Sequence, residues 1–166
     1  IILALGSMPL AFTYPLMKRF TYWPQLFLGI TFNYGLILGW TSITNEINFE
    51  PVILYLGAIF WTLGYDTIYG YQDIKDDEII GLKSTSIKFK SNPKKFLFIS
   101  YSFLFILFLI GGSYMKFSYS YYLLSIIPLF HLFFFQMKIF NLNDPASCLK
   151  AFKSNNVFGL IILLNI

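Results

Sequence analysis

Charge is scarce in this chain. Of 166 residues only 12 are Lys or Arg and 8 are Asp or Glu, a charged fraction of 12%. That is about half of what a soluble domain carries, and it excludes an ordinary water-soluble one. The single cysteine, Cys148, excludes an intrachain disulfide and any cysteine-based metal site. No charged leader and no small-residue cleavage site precede the first apolar run, so that run does not read as a signal peptide. The chain begins at Ile1 and ends at Ile166 inside apolar stretches. The expectation is therefore one transmembrane domain over 1–166, incomplete at its N-terminus and at its C-terminus. What is present is apolar: 57% hydrophobic and 21% aromatic residues, with a mean hydropathy of +0.64. These residues come in blocks of bilayer-spanning length. An all-α, polytopic membrane bundle follows. The net charge of +4 does not indicate a nucleic-acid partner, because the lysines lie in short loops between apolar blocks, where they set topology.

Six apolar segments are predicted, at about 1–17, 22–43, 51–72, 96–115, 120–139 and from 146 to the end. Eleven of the twelve basic residues, all but Lys116, fall on alternate loops. The positive-inside rule makes that side cytoplasmic. The 72–95 loop is long and patterned, which favours a functional loop over a plain connector.

Five of the eight acidic residues, Asp66, Asp73, Asp76, Asp77 and Glu78, lie within thirteen positions at the end of the third apolar segment. Carboxylates at a membrane edge are costly and mark a functional site by default. On a continuous helix, Asp66, Tyr69, Asp73, Asp76 and Asp77 would share a sector of roughly 100°. Asp73 and Asp77, four apart, would converge on one ion. Asp66 and Asp77 would be roughly 16 Å apart along the axis, so the helix must end near Asp73 or the face must serve more than one purpose. Mg²⁺ is commonly held by one or two carboxylates together with substrate phosphates. Gly81-Leu82-Lys83-Ser84-Thr85 follows with an ammonium and two hydroxyls suited to a diphosphate. The bland alternative is a solvated charged loop after a helix end; Asp66 and Tyr69 argue against it by extending the polar face into the apolar segment.

Tyr65 through Asp77, then Gly81 through Thr85, resembles the second aspartate-rich motif of the UbiA-type 4-hydroxybenzoate polyprenyltransferase family. Tyr14-Pro15-Leu16-Met17-Lys18-Arg19-Phe20-Thr21, with Pro24-Gln25, is similar to that family's Tyr-Pro-x-x-Lys-Arg-x-Thr segment. Cys148 through Phe152 and Asn155 through Leu160 resemble its C-terminal segment. The resemblance implies a fold of which about six of nine helices are present. It implies transfer of a polyprenyl group from polyprenyl diphosphate to the ring of 4-hydroxybenzoate in ubiquinone biosynthesis, with Mg²⁺ as cofactor and the bilayer as partner. It implies Asp73, Asp77 and Asp76 as metal-binding residues. Lys83 and Lys75 would meet the diphosphate, and Asp66 and Tyr69 would line the reaction site. Arg19 suits bidentate pairing with the benzoate carboxylate, though as a positive-inside anchor it is equally well explained. The implied location is a bacterial or mitochondrial inner membrane, with the site on the positive side.

One departure from the family pattern stands out. Its first aspartate-rich motif is absent, since no Asp precedes Asp66. Helices outside this chain would have to supply it, and the chain alone would be inactive. The rivals are another superfamily prenyltransferase, a non-catalytic fragment, and a transporter with an acidic mouth. A transporter would more naturally place charge at mid-membrane within inverted repeats. His131 and the Asn155-Asn156 pair read as packing groups.

Overall fold

The structure, a computed structural model, describes residues 2–166. The described residues form helices and connecting turns with no strand. Helix α1 (Ile2–Thr13) runs through the turn Tyr14–Leu16 into the short α2 (Met17–Phe20). Four helices are long and apolar enough to cross a membrane: α3 (Pro24–Thr44), α4 (Phe49–Gly70), α7 (Pro93–Tyr114) and α8 (Tyr119–Ile139). Between α4 and α7 lie two short helices, α5 (Ile74–Ile80) and α6 (Thr85–Lys88). The chain closes with α9 (Pro145–Lys153) and α10 (Asn155–Asn165). Four of the expected segments thus become helices of spanning length. Within the chain, α1 and α10 are shorter.

Proline sets several of the starts. Pro24, Pro93 and Pro145 each occupy the first turn of their helix, where a missing N–H costs little. Helix α4, with 22 residues, rises about 33 Å, enough to cross a hydrocarbon core. It is the central element. It packs most extensively on α7, then on α3 and α9. At Gly64 of α4, an added Cβ would overlap the ring of Tyr101. Close approach of this kind, over small residues, is how membrane helices gain packing where lipid supplies no hydrophobic drive.

Two spans are not the regular helices that periodicity suggests. Helix α3 is interrupted at Asn33. The Asn33 side-chain amide donates to Gly29 O at 2.8 Å, to Ala58 O at 3.2 Å and to Thr62 Oγ1 at 2.8 Å, pinning α3 to α4. Helix α8 widens to π-type turns over His131–Gln136. Gln136 is fully buried. It accepts from Tyr101 Oη and donates to Ala151 O at 3.0 Å and Ser154 Oγ at 3.1 Å. One side chain therefore braces α7, α8 and the α9–α10 junction, in a medium where an unmade bond is expensive. Asn155 packs as expected, accepting from Trp61 Nε1 at 2.9 Å. His131 lies against Phe135 and Phe158, but its Nε2 has no hydrogen-bond partner among the described residues.

Candidate functional site

The acidic stretch does not continue along one helix. Helix α4 ends at Gly70, the chain turns through Tyr71–Asp73, and α5 begins at Ile74. Of the two alternatives that the length of the stretch leaves open, the helix ends just before Asp73 and the rest folds back. The reason is tertiary. Ser86 donates to Thr67 O at 2.8 Å, and its Oγ sits where a Cβ on residue 70 would lie. Only glycine lets α6 press against the end of α4 there.

A buried polar node fixes this junction. Thr67 Oγ1 and Thr85 Oγ1 are 2.6 Å apart, and the Thr85 N–H donates to Gln25 Oε1 at 3.0 Å. Thr67, Thr85 and Ser86 are fully buried and Gln25 nearly so. Ser84 Oγ accepts from Ile87 N at 3.2 Å and caps α6. The hydroxyls of Ser84 and Thr85 are therefore engaged in holding the loop and are not free for a diphosphate. Sequence reasoning had Gln25 and Thr67 only as parts of the matched segments, without this role, and passed over Ser86; the polar Thr67 inside an apolar run was the available signal.

The same loop lies against the chain around α2. The Lys83 N–H donates to Lys18 O at 2.8 Å, and Lys83 Nζ lies 3.4 Å from Phe20 O. Lys83 also sits over the Tyr22 ring at 5.7 Å, and Lys88 over Trp23 at 4.5 Å, contacts of cation–π type. Gly81, at φ +77°, closes α5 in the left-handed conformation that favours glycine and turns the chain toward α2.

Within this frame the candidate residues separate into two groups. Asp77 is buried, and its Oδ2 lies 3.3 Å from Lys18 Nζ. The Lys18 charge also reaches Asp66, which is half-buried on the last turns of α4. The Asp66 carboxylate makes no hydrogen bond among the described residues. Asp73, at the N-terminus of α5, and Asp76 are exposed. Tyr69 is partly exposed and packs its ring on Phe152 of α9, centroids 4.7 Å apart. Arg19 is exposed and forms no ion pair among the described residues. Lys75 lies apart from this group. It lines a cleft of about 430 Å³ with Lys90, Glu78 and Pro145.

Carboxylates are the hard oxygen donors that Mg²⁺ takes. Asp66, Asp73 and Asp77 are of the right chemistry and lie at one end of α4. No group of three or more ligand side chains close enough to hold a metal occurs among the described residues. The donor set fits part of a magnesium site that substrate phosphates and further carboxylates would complete.

The three stretches that carried the resemblance converge on this end of α4. Residues 18–20 pair with Lys83, while Phe152 packs on Tyr65 and Tyr69. The comparisons agree. The model of the UbiA prenyltransferase family matches residues 1–161. A protein of Bos taurus named 4-hydroxybenzoate polyprenyltransferase, mitochondrial, is 44% identical over 100% of this chain and 45% of its own length. Proteins of the same name from Homo sapiens and Dictyostelium discoideum are 42% and 40% identical, over 100% and 99% of this chain. The chain covers 45% and 35% of those two proteins. It therefore spans less than half the length of these relatives. No solved structure matches it.

Proposed function

The chain belongs to the UbiA prenyltransferase family, and we propose that in its whole protein it forms the diphosphate-binding part of a membrane 4-hydroxybenzoate polyprenyltransferase of ubiquinone biosynthesis. The observation that supports this best is the convergence of Asp66, Asp77, Lys18 and Lys83 at one membrane edge, where α2, α4, α5 and α9 meet. The names of the relatives point to the same substrates.

Asp73 and Asp77 would hold Mg²⁺, with Asp76 beside them and further carboxylates coming from the rest of the whole protein. When bound, the ion neutralises the diphosphate charge and makes it a better leaving group. Lys83, fixed through its backbone to Lys18, faces the departing diphosphate. Lys75 lines a separate cleft with Glu78 and Lys90 and does not reach this diphosphate. The diphosphate leaves with the electron pair of the C1–O bond. The ring carbon ortho to the hydroxyl of 4-hydroxybenzoate forms the new bond to C1, and its proton is lost. Asp66, half-buried and unpaired, takes that proton. Tyr69, held by Phe152, offers its ring face to the allylic cation. Arg19 pairs with the benzoate carboxylate from the same membrane side. The site opens to the positive side of a bacterial or mitochondrial inner membrane.

Membranes holding the whole protein should convert labelled 4-hydroxybenzoate into a lipid only when Mg²⁺ and polyprenyl diphosphate are both present. Turnover that survives EDTA contradicts the reading. Arg19→Ala should raise the KM for 4-hydroxybenzoate about tenfold or more, the loss of one charge-assisted bidentate contact, and leave the KM for the diphosphate near its starting value. An unchanged benzoate KM removes Arg19 from the site.

A further inference from the structure

A second basic cleft lies away from the proposed reaction site, between the start of α7 and the end of α8. We propose that it binds the phosphate headgroup of an anionic phospholipid. Its volume is about 550 Å³, and Lys94, Lys138, Ser91, Asn92 and Asn141 line it. The two ammoniums come from different membrane-spanning helices and meet at one edge. No carboxylate lines the cleft, and neither lysine forms an ion pair among the described residues. The cleft therefore presents two uncompensated positive charges together with amide and hydroxyl groups that hydrogen-bond to phosphate oxygens.

What lies beneath the lysines selects a lipid over a free phosphate. One helical turn deeper than Lys94 is Phe98, 54% exposed, and one turn deeper than Lys138 is Phe134, 58% exposed. Residues four apart share a helix face. Each lysine therefore stands directly above an aromatic surface that can lie along an acyl chain. Phe98 packs edge-on against Phe133 of α8 at 5.2 Å, and Tyr101 bonds across to Gln136. The two helices are held together at this end, so the spacing of the backbone positions that carry the lysines is fixed by the fold. Basic clefts between membrane helices on the positive side suit anionic headgroups. The arrangement is independent of the prenyl-transfer reading, since none of these residues is assigned to that site.

Native mass spectrometry of the whole protein tests this with three probes: phosphatidylglycerol, phosphatidylcholine and sn-glycerol 3-phosphate. The wild type should prefer phosphatidylglycerol to phosphatidylcholine by about thirtyfold, the effect of two interfacial lysines. Lys94→Gln/Lys138→Gln should abolish that preference, whereas Lys116→Gln, at the opposite end of α7, should retain it. Phe98→Ala/Phe134→Ala should weaken the phospholipid and not the glycerol phosphate. Circular dichroism of each variant should match the wild type. If the double glutamine variant does not fold, the wild-type comparison and the single variants Lys94→Gln and Lys138→Gln carry the test, each lowering the preference. Equal binding of the two phospholipids by the wild type would overturn the proposal, as would a preference that survives loss of both lysines. So would glycerol phosphate binding as tightly as the phospholipid, which would mark a site for a soluble phosphate.

Discussion

Asp73→Ala/Asp77→Ala should lower prenyl transfer by the whole protein about 10³-fold or more, the scale on which removing charge stabilisation from a transition state acts. The two residues contribute differently. Asp77 is buried beside an ammonium, whereas Asp73 is exposed at the start of α5. Asp77→Ala alone should therefore also disturb the fold locally, because it removes the buried partner of the Lys18 ammonium. Asp73→Ala alone should affect catalysis without changing the thermal midpoint. Steady-state rates at saturating Mg²⁺, paired with thermal unfolding of the purified variants, separate the two contributions. A double variant that retains a tenth or more of the wild-type rate would remove these carboxylates from the chemistry.

Lys18→Met should have the next largest effect. The Lys18 ammonium lies 3.3 Å from Asp77, and its backbone carbonyl accepts from Lys83 N. Shortening the charge away leaves a buried carboxylate uncompensated, which costs more than the intact pair contributes. Lys18 is itself 45% exposed along its side chain, so water moderates the loss. The expected outcome is a fall of about tenfold in kcat/KM for the prenyl diphosphate, together with a lower thermal midpoint. Lys18→Arg, which keeps the charge, should restore the midpoint and part of the rate. If Lys18→Met and Lys18→Arg behave alike, charge at this position is not what matters.

The membrane spans were legible in the sequence because their signal is local. The 96–115 segment becomes Pro93–Tyr114, and the 51–72 segment becomes Phe49–Gly70, each close to its apolar run. The break at Asn33 was not legible, because its cause is the amide reaching Ala58 and Thr62 of another helix. The length of the acidic stretch pointed to a helix end near Asp73, but the cause of the break at Gly70 was hidden. It depends on Ser86 packing where a side chain would stand, a contact made only after the chain has folded back. The consequence for the site is specific: Lys75 lines a cleft apart from Asp77, and Lys18 becomes the partner of Asp77. That pairing joins positions 59 residues apart that no spacing rule connects. The family pattern did bring the two segments together, since Tyr14–Thr21 and Asp66–Thr85 were both singled out and they do meet.

Capture of a prenyl diphosphate by the carboxylates at the end of α4 and in α5, through a divalent cation, can be read from the affinity of the whole protein for a non-reactive thiolodiphosphate analogue, measured calorimetrically with and without Mg²⁺. The wild type should bind the analogue at least about a hundredfold more tightly with Mg²⁺ than in EDTA, and Asp73→Asn/Asp77→Asn should bind it equally weakly in both. An affinity that ignores Mg²⁺ in the wild type, or a magnesium effect that persists in the double variant, would mean that these carboxylates do not hold the diphosphate through a metal.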